Sequence, residues 1–92
     1  MKTESPESWK MALIEADALL DEILEKAGYP GENLGERLKK MTPAQLSNLD
    51  DVRRIHRWRN RLVHESGFHL SRGQIEEGLK IYQKAPEELE AI

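Results

Sequence analysis

Apolar residues early in the chain recur every three or four positions: Trp9, Ala12, Leu13, Ala16, Leu19, Leu20, Ile23, Leu24 and Ala27. A helix turns by about 100° per residue, so this spacing gathers them onto one face. Ser5 is a candidate cap, Pro6 fits the first helical position and Gly28 supplies the stop, which predicts a helix over about 5–27. So broad an apolar stripe holds its helix only when other elements cover it. The remaining chain must therefore supply partners of the same kind. No stretch shows the period-two alternation of a half-buried strand. Glu15, Asp21, Glu22 and Glu25 lie off the stripe, and Asp17 sits at its border, within reach of a neighbouring helix.

The following segments meet that demand. Tyr29-Pro30-Gly31-Glu32 reads as a turn, because proline and glycine both interrupt a helix. Asn33 with Glu36 forms a capping box for a short helix over 34–41, with Leu34, Leu38 and Met41 as its contacts. Thr42 with Gln45 is a second capping signal, leaving 43–48 as a short turn. A third helix over 49–65 carries Leu49, Val52, Ile55, Leu62 and Val63 and stops at Ser66-Gly67. Phe68 and Leu70 are expected to pin the next loop to the core. Ser71 with Gln74 caps a fourth helix over 71–85 with Ile75, Leu79 and Tyr82 on its face, where Gly78 allows close approach. Pro86 is expected to end or kink it, leaving 86–92 as a kinked or frayed tail, with 87–92 either a last helical turn or frayed. The fold expected is a single all-α domain, 1–92. It is an antiparallel up-and-down helical bundle of three long helices and one short helix.

Composition narrows the function. Without cysteine there is no disulfide framework and no thiolate nucleophile or metal ligand. No apolar run approaches the roughly 18 residues needed to span a bilayer, and Met1-Lys2-Thr3-Glu4 lacks a signal-peptide pattern. A cytoplasmic location with no membrane partner is expected. The formal net charge of −3 argues against broad wrapping of nucleic acid. The charge is unevenly spread, however. Seven acids fall within residues 1–27, whereas five of the seven arginines (Arg53, Arg54, Arg57, Arg59 and Arg61) fall within nine residues.

The helical angles divide that arginine cluster. With Val52 at zero, Ile55 falls at about 300°, Leu62 at about 280° and Val63 at about 20°. Arg59 falls at about 340°, inside the apolar arc, where an obligate cation is costly unless paired. His56, Asn60 and His64 form a ridge at its border, Arg53 and Arg57 extend that border, and Arg54 and Arg61 point to solvent. Trp58, at about 240°, points away from the core and is expected to meet a partner chain or a base. Arg59 paired with Asp17 or Asp21 would be a structural bridge. His64 near a helix end would favour the dipole, and His56 would be a hydrogen-bonded border residue. His69 is expected to be exposed. His56 and His64 have no carboxylate at ligand spacing, so no metal site and no cofactor is expected.

The segment Arg59-Asn60-Arg61-Leu62-Val63-His64 reads R-N-x-x-x-H, late in the third helix of a small all-α chain. It resembles the signature of the HEPN superfamily, small helical bundles of prokaryotic toxins, RNA-processing ribonucleases and nucleotide-binding modules. His56 fits the longer A-H-x-x-R-N-x-x-x-H variant, with Ile55 in place of the alanine. The resemblance covers the helix order of most of the chain but specific residues only across 56–65. It implies a metal-independent endoribonuclease working as a homodimer in which two motifs share one cleft. Arg59, Asn60 and His64 would then be catalytic, and His56, Arg53, Arg57 and Arg61 would hold RNA. Histidine suits proton transfer near neutral pH, and arginine's donor fork suits phosphate. Many members bind a nucleotide, RNA or a protein without cutting, so a non-catalytic module is the alternative. Toxin members imply a nucleotidyltransferase-type antitoxin partner that modifies a tyrosine in R-x4-H-x-Y, but here Ser66 occupies that tyrosine's place.

Overall fold

In the computed structural model, which describes residues 6–90, four helices follow in order: α1 (Pro6–Lys26), α2 (Leu34–Lys40), α3 (Leu49–His64) and α4 (Arg72–Glu90). No strand occurs among the described residues. The expected all-α bundle of three long helices and one short one is what forms. Ser5, the candidate first cap, lies outside the described residues.

Local chemistry sets the helix ends. At Gly28, with φ of +92°, the amides of Gly28 and Tyr29 turn back onto the carbonyls of Glu25 and Leu24, which closes α1 in a Schellman motif. Asn33 Oδ1 accepts from the Glu36 amide at 3.0 Å, and Glu36 Oε1 accepts from the Glu32 amide at 3.2 Å, one residue before the usual capping-box partner. Ser71 and Gln74 bond reciprocally at 2.8 and 3.1 Å to start α4. In the intervening turn the Thr42 amide donates to Gln45 Oε1 at 2.9 Å. That turn also places Leu46 fully in the core, a burial that helical periodicity cannot announce.

Cross-helix contacts give the directions. A Cβ at Gly78 would lie 3.1 Å from Leu13 Cδ1 and 3.0 Å from Ile55 Cγ2, so α1, α3 and α4 meet where glycine permits it. One turn further along both α1 and α4, Asp17 meets Tyr82, so these two helices run the same way. The pairs Arg54–Glu77 and Asn48–Ile81 show α3 running against α4. The core between them is Leu13, Leu20, Leu24, Leu38, Leu49, Val52, Ile55, Ile75 and Tyr82. At roughly 1.5–3 kcal/mol per fully buried large apolar side chain, this core is what pays for ordering the four helices.

Four expectations are corrected by the packing. The helix α4 does not stop before Pro86 but continues to Glu90, while residues 91 and 92 lie outside the described residues. Ala85 is buried and Pro86 lines a groove against Leu20 and Ile23 of α1, so tertiary contact holds the turn that lacks one backbone donor. Leu19 is 57% exposed and Val63 45% exposed, because each lies at the edge of a stripe wider than the neighbours that cover it. Trp58 is partly buried against the core, with the Arg54 guanidinium 5.1 Å from its ring centroid, and is no free stacking surface. Among the described residues no helix is long and apolar enough to cross a membrane.

Candidate functional site

The side chain around which α1, α3 and α4 converge is Asp17, a carboxylate only 3% exposed. Its Oδ2 accepts from the Tyr82 hydroxyl at 2.6 Å and lies 2.7 Å from His56 Nδ1. Its Oδ1 faces Arg59 Nε at 3.4 Å. As a carboxylate, Asp17 can only accept, so His56 carries its proton on Nδ1 and turns Nε2 outward. Burial and the adjacent Asp17 charge push the Tyr82 phenol far above its ordinary range, which keeps it a hydrogen-bond donor.

Arg59 is less completely served. Nη1 donates to Asn60 Oδ1 at 3.0 Å, but Nε is buried and makes no hydrogen bond, since the Asp17 contact is long. The guanidinium is 27% exposed and opens onto a cleft of about 390 Å³. Asp17, Asp21, Asn33, Gly35, His56 and Asn60 share that lining with it. A second depression of about 250 Å³ meets it at Gly35 and His56 and is edged by Lys39, Arg53 and Arg57. The helical angle placed Arg59 correctly as a cation needing a partner, and the partner is Asp17.

The other sequence candidates separate. Arg53 donates through Nε and Nη2 to the Leu38 carbonyl at 3.1 and 2.6 Å, and through Nη2 to Met41 at 3.3 Å. It therefore closes the C-terminal end of α2. Arg61 pairs with Glu65 at 3.1 Å and lies 4.1 Å from the Phe68 ring centroid. Arg54 pairs with Asp51 and Glu77 at 3.4 and 3.1 Å. Arg57 and Lys39 are exposed. His64, the last residue of α3, is exposed and outside the Arg59 cleft of this single chain. Asn60 and His56 are the candidates that line the cleft with Arg59.

Sequence reasoning placed Asp17 at a border, and it missed the Tyr82 hydroxyl and the buried Arg37. The Asp17 signal was present. Counting from Leu13, Leu20 falls at about 340°, Leu24 at about 20° and Asp17 at about 40°, directly beside the last leucine of the arc. Arg37 is 5% exposed and bonds Asp21 Oδ1 at 2.8 Å and the Tyr29 carbonyl at 2.7 Å, with Glu25 at 3.5 Å. Gly31, with φ of +150°, leaves room beside it, since a Cβ there would lie 2.7 Å from Arg37 Cγ. Among the described residues no three histidine or carboxylate side chains converge to hold a metal ion. Comparison with known proteins returns no matching family model, no matching curated protein and no matching solved structure.

Proposed function

We propose that this chain is a HEPN-like RNA-binding domain that cleaves RNA without a metal, as a homodimer. The observation that carries the reading is Arg59, an arginine anchored through its buried edge near Asp17 while its outer face opens into a polar cleft. A guanidinium held in this way is oriented in advance toward a phosphate and loses little freedom on binding it. Asn60 fixes the outer nitrogen. Arg57 and Lys39, at the edge of the adjoining depression, extend the positive track along which an RNA backbone would lie. His64 stands exposed at the end of α3, where a second copy could present it to the cleft of the first.

A second reading rests on one specific observation. The Asp17 carboxylate compensates Arg59 within the same chain, which favours a module that binds a nucleotide, RNA or a protein without turnover. Incubation of single-stranded RNA with the protein in EDTA separates the two. Cleavage leaving 2′,3′-cyclic phosphate ends, abolished in Arg59→Met and strongly lowered in His64→Ala, supports the ribonuclease. Salt-sensitive binding with intact RNA identifies the binding module. A light-scattering mass of one chain under the assay conditions would overturn the shared-cleft dimer.

A further inference from the structure

The cleft holds a histidine whose geometry suits proton transfer rather than mere support. His56 Nδ1 is fixed by Asp17 Oδ2 at 2.7 Å, and Tyr82 holds the same oxygen at 2.6 Å from the opposite helix. The ring is thereby locked in one orientation and one tautomer. Nε2 has no hydrogen-bond partner among the described residues, yet it is not among the fully buried unsatisfied atoms, so it remains accessible from the cleft. A Cβ at Gly35 would lie 3.3 Å from Nε2 and 3.3 Å from Asn33 Oδ1. Alanine is the better helix former by about 1 kcal/mol, yet α2 carries glycine at the position that uncovers Nε2. Arg59 and Asn60 line the same cleft.

Building on the ribonuclease reading, we propose that His56 is the general base of the cleft, that Asp17 is its positioning residue, and that Gly35 keeps its Nε2 open to the ribose. Neutral His56 takes the proton of the RNA 2′-hydroxyl while that oxygen bonds to phosphorus. The bond from phosphorus to the 5′-oxygen breaks, and the departing oxygen takes a proton from His64 of the second copy. A cyclic phosphate and a 5′-hydroxyl result, and solvent returns His56 and His64 to their starting states. Each protomer thus contributes both roles, one to its own cleft and one to its partner's.

The groups facing His56 are Asp17 and Asp21 from α1, Asn33, Gly35 and Lys39 from α2, Arg53, Arg57, Arg59 and Asn60 from α3, and Tyr82 from α4. The test is the pH profile of kcat/KM for RNA cleavage in EDTA. Wild type should give a bell whose acid limb reports His56. His56→Asn should lose about 10²- to 10⁴-fold in kcat and lose the acid limb, while binding of a non-cleavable 2′-deoxy oligonucleotide is kept. His64→Ala should lose the alkaline limb and keep the acid one. Asp17→Asn should lower kcat at least about tenfold with KM kept, because His56 loses its fixed orientation while the RNA contacts remain. Gly35→Ala keeps every titrating group but crowds Nε2, and should lower kcat more than about tenfold in a protein that circular dichroism shows to be folded. Cleavage by His56→Asn at the wild-type rate, with its acid limb intact, would overturn the assignment of His56 and leave the ribonuclease reading standing. An intact RNA in every wild-type reaction would overturn both.

Discussion

Two ion-pair sites lie one turn apart on α1 and are built in opposite senses. At Asp17 the anion is buried, and its partners Arg59 and His56 reach the cleft, with 27% and 14% of their side chains exposed. At Arg37 the cation is buried, and its partners Asp21 and Glu25 face water, with 34% and 67% exposed. Arg37 is also nearly satisfied, bonded to Asp21 and to the Tyr29 carbonyl, so it ties α2 and the preceding turn to α1. Arg59 keeps an unbonded buried Nε and one hydrogen bond, to its sequence neighbour. A buried cation screened by acids offers nothing to a phosphate. A buried acid that holds an arginine and a histidine at a cleft does. The same two residue types thus give a structural lock in one place and a candidate site in the other.

The comparison breaks most sharply at its two buried members. Replacing Asp17 with alanine strands the Tyr82 hydroxyl, His56 Nδ1 and Arg59 together. Stability should fall by about 3–5 kcal/mol, seen as a shifted urea midpoint with an unchanged slope. Arg37→Met should cost less, about 1–3 kcal/mol, because half-exposed Asp21 can take water when its partner is gone. If the chain binds RNA as proposed, the Arg37 variant should retain that binding at a temperature where it is folded. If it lost binding as completely as Arg59→Met, the division into lock and site would fail.

Tyr82 offers a test from the other side of Asp17. Its folded-state phenol is held well above the ordinary tyrosine value by burial and by Asp17. Its contribution is therefore fully present below the unfolded pKa of about 10 and is lost as pH rises beyond it. In chemical denaturation between neutral and strongly alkaline pH, wild type should weaken by up to about 1.4 kcal/mol per pH unit more than Tyr82→Phe above that point. At neutral pH Tyr82→Phe should cost about 0.5–1.5 kcal/mol for the lost bond. Equal alkaline slopes in the two proteins would show that the Tyr82–Asp17 bond does not couple folding to the phenol.

What was legible in sequence divides along the same physical line. Helix ends follow from short-range chemistry, and the boxes at Asn33–Glu36 and Ser71–Gln74 and the Gly28 stop form as their residues require. Arg59 was found because an arginine in an apolar arc contradicts its surroundings. Arg37 was missed because its partners sit on a different helix and in a turn, and the seven-residue α2 is too short to show a stripe against which it would stand out. Leu46 was passed over and the end of the fourth helix was set too early for a related reason. Their places are decided by what packs on them and not by their sequence neighbours. The proline rule describes an isolated helix, whereas the end of α4 rests on α1.

The smallest expected effect concerns Arg57, and it tests whether the cleft's surroundings belong to the site. Arg53, Arg54 and Arg61 are engaged by carbonyls or carboxylates of the same chain, so binding RNA would first require breaking those contacts. Arg57 is exposed and edges the depression that meets the cleft at His56. Arg57→Ala should leave thermal stability within about 0.5 kcal/mol, the usual range for a surface change. If Arg57 contacts one phosphate, the slope of log Kd against log salt for single-stranded RNA should fall by about 0.7. The loss should be the same for every RNA sequence tried, since a phosphate contact carries no base information. Arg61→Ala in the same titration serves as the counterpart, and it should leave the slope unchanged because its charge is already spent on Glu65. A reversed order, with Arg61 setting the slope and Arg57 silent, would move the RNA track off the cleft and toward the exposed end of α3.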